Sequence, residues 1–360
     1  MTQSAYEEVH EFNPMVSPHR EDPHLFYRWS RDEEPIAFSQ TINAWVVTRY
    51  SDLLGIVQDP DTFSSISAVP SIWDNPPEVV AAFDDCVPEC GTLINVDEPR
   101  HDPIRKAFDL AFTGRRVRAL RPSMEAKANA LIDEFIGDNK ADLISQFANH
   151  YVRYVLSCAI GIPEDDIPRV TKWNKEWMAL LIPIVPLEEK LAAAKHYRAY
   201  EEYALDLIDQ RIAEPQNDLI SDLVHGSADV PAISREEALY LFRGVNSAGF
   251  DTTRDTIGLT LLTMMRNRRF WDESRGEPRM IDRIVEETLR IDAPHRGLFR
   301  MATRDTEISG TPIAKGSIVF LLFGSGNRDE RKFQDPDEVI LDRDNVRDHL
   351  AFGQGVHHCP

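Results

Sequence analysis

Cysteine is scarce: four in 360 residues, Cys86, Cys90, Cys158 and Cys359. So few thiols in so long a chain make no disulfide framework, and no Cys-x-x-Cys pair marks a zinc site. Cys86 and Cys90 are expected as separate thiols rather than a bridge. Positive charge is also in short supply, with 40 Lys and Arg against 60 Asp and Glu and a net charge of −20 at pH 7. That balance repels nucleic-acid phosphates and anionic lipid, so neither is an expected partner. No run reaches the roughly 18 to 20 uncharged apolar residues that span a bilayer, and the best stretch, MALLIPIVPLEEK, is broken by proline and charge. The N-terminus, MTQSAYEEVHEFNP, carries three acids and no apolar segment, unlike a secretory signal or transit peptide. A cytoplasmic protein without a membrane anchor is expected. Repeats and low-complexity tracts are absent. What remains, 42% hydrophobic and 28% charged, describes a folded, water-soluble chain.

Most of the chain reads as helix. Pro23 opens a helix to about Glu33, two β-rich pieces follow at Pro35 to Gln40 and Ala44 to Thr48, and a helix covers Ser51 to Gln58. Residues 66–96 hold four prolines with scattered aromatics and predict an irregular, mobile loop with one short helix. Apolar residues at three- and four-residue steps predict helices near 101–112, 115–137, 141–160, 166–182, 187–213 and 217–225. Ser234 with Glu237 forms a capping box that starts a long helix to about Arg266. Another helix covers Met280 to Ile291, strand signals follow at Phe299 to Ala302, Glu307 to Ser309 and Ser317 to Leu322, and Asn327 to His349 reads as coil.

Three features carry chemistry. Within the long helix, Ala248-Gly249-Phe250-Asp251-Thr252-Thr253 places Gly, Asp and two Thr where helix propensity disfavours them, at a cost of roughly 2 to 3 kcal/mol relative to Ala if exposed. Either Gly249 lets another helix approach closely, or threonine back-bonding loosens the helix into a groove where Asp251 and Thr252 hold water and relay protons. Next, Glu287 and Arg290 lie three apart on one helix face; read alone they are a surface pair worth under about 1 kcal/mol. Last, Phe352-Gly353-Gln354-Gly355-Val356-His357-His358-Cys359 spaces two glycines so that backbone can approach a flat ligand and aim N–H groups at an anionic sulfur. A zinc ligand or a Cys-His nucleophile are the alternatives for Cys359.

Taken together and in this order, the three features resemble a cytochrome P450 of the soluble bacterial kind. AGFDTT is similar to the oxygen-activating motif of the long helix, Glu287-Thr288-Leu289-Arg290 to the ExxR motif, and FGQGVHHC to the haem-binding loop. DEPRHDPIRKAF, RMATRD and NRDERKFQDPDEVILDR resemble the segments between, so the resemblance spans essentially the whole chain. It implies a mainly α fold with a small β region, in one domain over 1–360 whose β-rich parts are about 35–50 and 299–322 and whose helical part is about 101–291. It also implies a last helix and terminal strands beyond Cys359, so a chain that stops at Pro360 is expected to be a fragment.

Residue by residue, the resemblance makes Cys359 the axial thiolate of haem b, a ligand that favours O–O bond cleavage. His101, Arg105, Arg300 and His357 are implied propionate partners, which enclosed carboxylates require; His349 is a weaker candidate, or a structural loop histidine. Glu287 and Arg290 become a buried network with Arg343 that supports the Cys loop. Asp251 and Thr252 match the acid-alcohol pair that supplies protons during dioxygen reduction. Ile72, Trp73, Val245, Ala248, Gly249, Leu298 and Phe299 are implied to line an apolar substrate pocket, with Arg296 available for a carboxylate. The implied reaction is monooxygenation of a small lipophilic molecule by a monomer, with NAD(P)H electrons delivered by a separate ferredoxin reductase and ferredoxin that dock where Arg105, Lys106, Arg115 and Arg116 gather. A non-hydroxylating oxidation on the same scaffold, or haem binding without turnover, are the rival readings.

Overall fold

In the computed structural model the described residues are 11–88 and 90–360, and most of the N-terminal stretch read above for targeting signals lies outside them. The elements in chain order are α1 (His24–Glu33), β1 (Ile36–Ser39), β2 (Ala44–Val47), α2 (Tyr50–Val57), β3 (Phe63–Ser64), α3 (Pro77–Val80), α4 (His101–Ala111), α5 (Gly114–Asp133), α6 (Asn149–Ile160), α7 (Ile167–Leu181), α8 (Leu187–Ala213), α9 (Leu219–His225), α10 (Arg235–Arg266), α11 (Arg268–Ser274), α12 (Arg279–Ile291), β4 (Leu298–Ala302), β5 (Thr306–Ile308), β6 (Thr311–Ile313), β7 (Ile318–Leu321) and α13 (Phe323–Gly326). This is the mainly helical fold with a small β region that the sequence implies. No helix among the described residues is long and apolar enough to cross a membrane.

Contacts divide the chain into two units, 1–68 with 259–359, and 69–258 with Pro360. The first holds the sheet. Its five strands run in the order β1-β2-β7-β4-β3, with β2 and β7 parallel and the other neighbours antiparallel. The parallel pair brings the segments near residues 45 and 320 into register, Val46 opposite Phe320 and Val47 opposite Leu321. Val47, Leu321, Leu53, Phe333 and Leu350 form one core there, so the sheet is bonded into the segment that leads to Cys359. The second unit is helical, with a core in which Ile160, Tyr200, Leu239 and Phe242 from α6, α8 and α10 meet.

The start of α10 matches its capping box, Ser234 Oγ accepting from Glu237 N–H at 3.1 Å and Glu237 accepting from Ser234 N–H at 3.0 Å. Elsewhere the boundaries differ from expectation for local reasons. Residues 141–148 begin as a π turn at Ile144–Ala148, because Asp142 accepts from the N–H of both Ile144 and Ser145 and starts the helix wide. The strand signal at Glu307 to Ser309 falls on β5, whereas the short α11 and β6 were not expected; seven residues, and a three-residue strand carrying Pro312, give too little periodicity to read. The β5–β6 hairpin turns on Ser309 and Gly310, both at positive φ.

Residues 66–96 are more ordered than the expected loop. Besides α3 they form two 3-10 turns, Ile72–Asp74 and Ala81–Phe83. Side chains then hold the segment: Asn75 Nδ2 donates to Leu180 O at 2.8 Å, Glu201 accepts from Val87 N–H at 3.1 Å, and Tyr240 Oη donates to Val87 O at 2.9 Å. Glu201 in turn pairs with the fully buried Arg243 at 3.1 Å. Burial and the Glu201 carboxylate push the Cys86 thiol up to about 11, and neither Cys86 nor Cys90 is bridged.

Candidate functional site

In the first unit the site is the loop from Phe352 to Cys359. Gly353 and Gly355 both take positive φ, 66° and 74°, a conformation that side chains oppose. They serve different ends. A Cβ at Gly355 would collide with the carbonyl oxygen of Val57, so α2 packs directly on that turn, whereas a Cβ at Gly353 would meet nothing nearer than His357 O at 3.8 Å. The open backbone at Gly353, the exposed apolar side chains of Phe352 and Val356, and the exposed Cys359 together form a thiol-bearing apolar face. Cys359 N–H donates to Phe352 O at 2.8 Å and closes the loop. Such a face fits a flat, apolar cofactor bound through sulfur.

Behind the loop lies a fully buried carboxylate. Glu287 Oε2 accepts from Arg290 Nε at 2.7 Å, and Oε1 accepts from Arg290 Nη2 at 2.8 Å, Arg343 Nε at 3.1 Å and Ile340 N–H at 3.0 Å. The two guanidiniums spend their other donors on carbonyls of Asn327, Gln334, Asp335, Pro336 and Glu338. One acid and two arginines thereby fix a polar segment that has no apolar core of its own. The structure thus brings Glu287, Arg290 and Arg343 together, buried rather than on the surface. His349, 4% exposed, meets Glu286 at 3.2 Å and accepts from Ala351 N–H. Both ring nitrogens are thus engaged within the chain, and burial holds its pKa below the usual histidine value, with Glu286 opposing. Arg300 is buried on β4 and donates to Phe299 O at 2.8 Å; His357 ends the 3-10 turn Gly355–His357. The Phe299 and Phe320 rings pack in a tilted arrangement with centroids 4.7 Å apart, and Leu298 packs on the Val47 core. Arg296, expected near a substrate carboxylate, donates through Nη1 to the carbonyls of His19 and Arg20.

In the second unit the site is the middle of α10. Thr252 Oγ1 donates to Ala248 O at 2.6 Å and Thr256 Oγ1 to Thr252 O at 2.8 Å, the back-bonding that widens a helix. The helix nonetheless stays continuous through this stretch. A Cβ on Gly249 would sit 3.1 Å from Leu156 of α6, so the glycine also permits close packing. Asp251 pairs with Arg254 at 2.6 Å. Arg153 of α6 lies over the Phe250 ring at 3.6 Å and donates to Thr171 at 2.8 Å. Burial lowers its pKa to about 10, Asp251 opposing, so it remains a cation at neutral pH. Asp251 therefore lies in a positive field. Sequence reasoning passed over both arginines; Arg254, three residues after Asp251, was a readable signal, and Arg153, a hundred residues away, was not.

His101 is 2% exposed, with Glu98 3.5 Å away. Arg105 is bound to Asp109 at 2.9 Å. The expected basic surface is weaker than its residue types suggest, because Arg105, Lys106 and Arg116 pair with Asp109, Asp102 and Asp222. Ile72 and Trp73 pack with Phe83, Leu180 and Tyr197, and Val245 packs on the helical core.

A mainly helical fold with a glycine-turned loop that ends at a thiol is the arrangement the resemblance implies for a haem protein. The sequence pattern of the family described as Cytochrome P450 matches residues 74–360, and the chain belongs to that family. It is 32% identical over 319 residues to mycinamicin IV hydroxylase/epoxidase of Micromonospora griseorubida, covering 88% of this chain and 77% of that one. It is 31% identical over 348 residues to the methyl-branched lipid omega-hydroxylase of Mycobacterium bovis, covering 91% and 78%. Among solved structures, cytochrome P450 CREJ in complex with (4-ethylphenyl) dihydrogen phosphate superposes with a TM-score of 0.90 at 28% identity, covering 98% of this chain and 87% of that one. The protein is accordingly a P450 monooxygenase with haem b as its cofactor.

Proposed function

We propose that this enzyme uses O2 to hydroxylate a small lipophilic molecule, taking electrons that originate in NAD(P)H from a ferredoxin and its reductase. When bound, haem supplies the oxidising iron centre, and thiolate ligation favours O–O cleavage. Cys359 Sγ would hold the iron, and His101, Arg105, Arg300 and His357 would neutralise the propionates. Arg105, paired here with Asp109, would have to give up that partner to do so.

The chain's own part in the chemistry is proton supply. The Asp251 carboxylate takes protons from solvent, steadied by Arg254 and Arg153, and Thr252 Oγ1 passes them into the pocket after leaving its bond to Ala248 O. The observation that carries this reading is the back-bonded Thr252 beside an ion-paired Asp251 in the middle of an unbroken helix. A peroxide-driven enzyme has no need of that pair. Ile72, Trp73, Val245, Ala248, Gly249, Leu298 and Phe299 supply the apolar lining. The relatives named for mycinamicin IV and for methyl-branched lipid support a lipophilic substrate.

The test is turnover with a surrogate ferredoxin and reductase under 18O2 across a panel of lipophilic compounds. One labelled oxygen atom in the product is expected. Product formed only with added peroxide, or carrying solvent oxygen, contradicts the proposal.

A further inference from the structure

Lys190 stands in the first turn of α8 and is 7% exposed, the one buried lysine among the described residues. A buried ammonium ordinarily finds a carboxylate, because desolvating an uncompensated charge is costly. Among the described residues, the buried Arg243 with Glu201 and Arg290 with Glu287 follow that rule. Lys190 does not: no carboxylate among the described residues forms an ion pair with it, and its acceptor is the neutral Oδ1 of Asn75 at 2.7 Å.

Asn75 cannot turn to offer more. Its Nδ2 donates to Ile72 O at 2.7 Å and Leu180 O at 2.8 Å, so Oδ1 is locked toward the ammonium. One acceptor leaves two of the three ammonium donors for something else. The surroundings are aromatic and apolar, with Trp73, Phe83, Trp177 and Leu180 in the adjoining cluster. Ile72 and Trp73, proposed above as pocket lining, lie within three residues of Asn75.

We propose that Lys190, positioned by Asn75, receives the anionic end group, carboxylate or phosphate, of a substrate whose body is lipophilic. This rests on the monooxygenase reading and narrows its substrate class. The ligand supplies the missing counter-charge, and the aromatic cluster covers the chain next to it. Because the ammonium is covered, entry lifts part of the Ile72–Val80 stretch.

The test is isothermal calorimetry on the haem-loaded protein with four twelve-carbon probes: dodecanoate, dodecyl phosphate, methyl dodecanoate and dodecan-1-ol. Wild type should bind at least one anion more tightly than the neutral probes by about 10- to 100-fold, the range of a charge-assisted contact. The preferred anion identifies the head group. Lys190→Gln should bring the anion to within about threefold of the neutral probes, and Lys190→Arg should keep the preference. Wild-type binding of both anions no tighter than the neutral probes overturns the proposal, as does equal weakening of anions and neutral probes in Lys190→Gln, which marks a merely structural lysine. Should Lys190→Gln fail to fold, the wild-type ratio and Lys190→Arg still decide. Calorimetry reads binding without turnover, so an error in the monooxygenase reading leaves the anion-to-ester ratio measurable.

Discussion

Replacing Glu287 by alanine removes a carboxylate with no solvent exposure that accepts four N–H groups at 2.7 to 3.1 Å. Two guanidiniums, Arg290 fully buried and Arg343 with 5% of its side chain exposed, lose their shared counter-ion together. Breaking one buried pair typically costs about 3 to 5 kcal/mol. Here two cations are stranded, though each keeps backbone carbonyl partners that solvate part of the charge, so we expect about 4 kcal/mol or more, a large share of the roughly 5 to 15 kcal/mol that holds a domain folded. The damage is directed, because those carbonyls belong to residues 327–338, which lead into the Cys359 loop. Glu287→Ala should therefore be recovered without haem, with a urea midpoint far below wild type at unchanged slope. Arg290→Lys, which keeps the charge but loses the two-pronged contact, should fall between. A Glu287→Ala protein with full haem content and a wild-type midpoint would refute the reasoning.

Thr252→Ala removes the Oγ1 that bonds Ala248 O; electron consumption should continue while peroxide replaces product, measured as the ratio of product to NAD(P)H, and Thr252→Ser should restore coupling. At Gly355, φ is 74° and a Cβ meets the Val57 carbonyl. Gly355→Ala should cost about 1 to 3 kcal/mol in backbone strain, with the Val57 clash added, and reduce haem retention, whereas Gly353→Ala, which carries similar backbone strain but has open space for its Cβ, should lose less. His349 titrates below the usual histidine value because it is buried. The unfolded chain then binds more protons than the folded one below about pH 6.5, so stability is lost as pH falls through that value. Urea midpoints from about pH 7.5 to 5.5 should decline less in His349→Gln than in wild type.

Long periodic elements were legible in the sequence and short ones were not. The range 187–213 could be read to the residue because a 27-residue amphipathic pattern follows a proline, while β3, two residues long, exists only because β4 pairs with it. The site was legible where its residues lie close in sequence: the Cys359 loop, Glu287 with Arg290, and Asp251 with Thr252. Partners brought in from a distance were not. Nothing in the sequence joins Arg153 to Phe250 or Asn75 to Lys190, and the acids that neutralise Arg105, Lys106 and Arg116 appear only once the helices are formed. Nor does the sequence show that Arg296 Nη1 bonds the carbonyls of His19 and Arg20.

The central claim is that Cys359 ligates haem iron as a thiolate, and the absorption spectrum of the reduced carbon-monoxide complex tests it most directly. The account predicts the strongly red-shifted Soret band of thiolate ligation in the wild type and its loss in Cys359→His. A band at the position of histidine-ligated haem in the wild type, or an unaltered spectrum in Cys359→His, would contradict it.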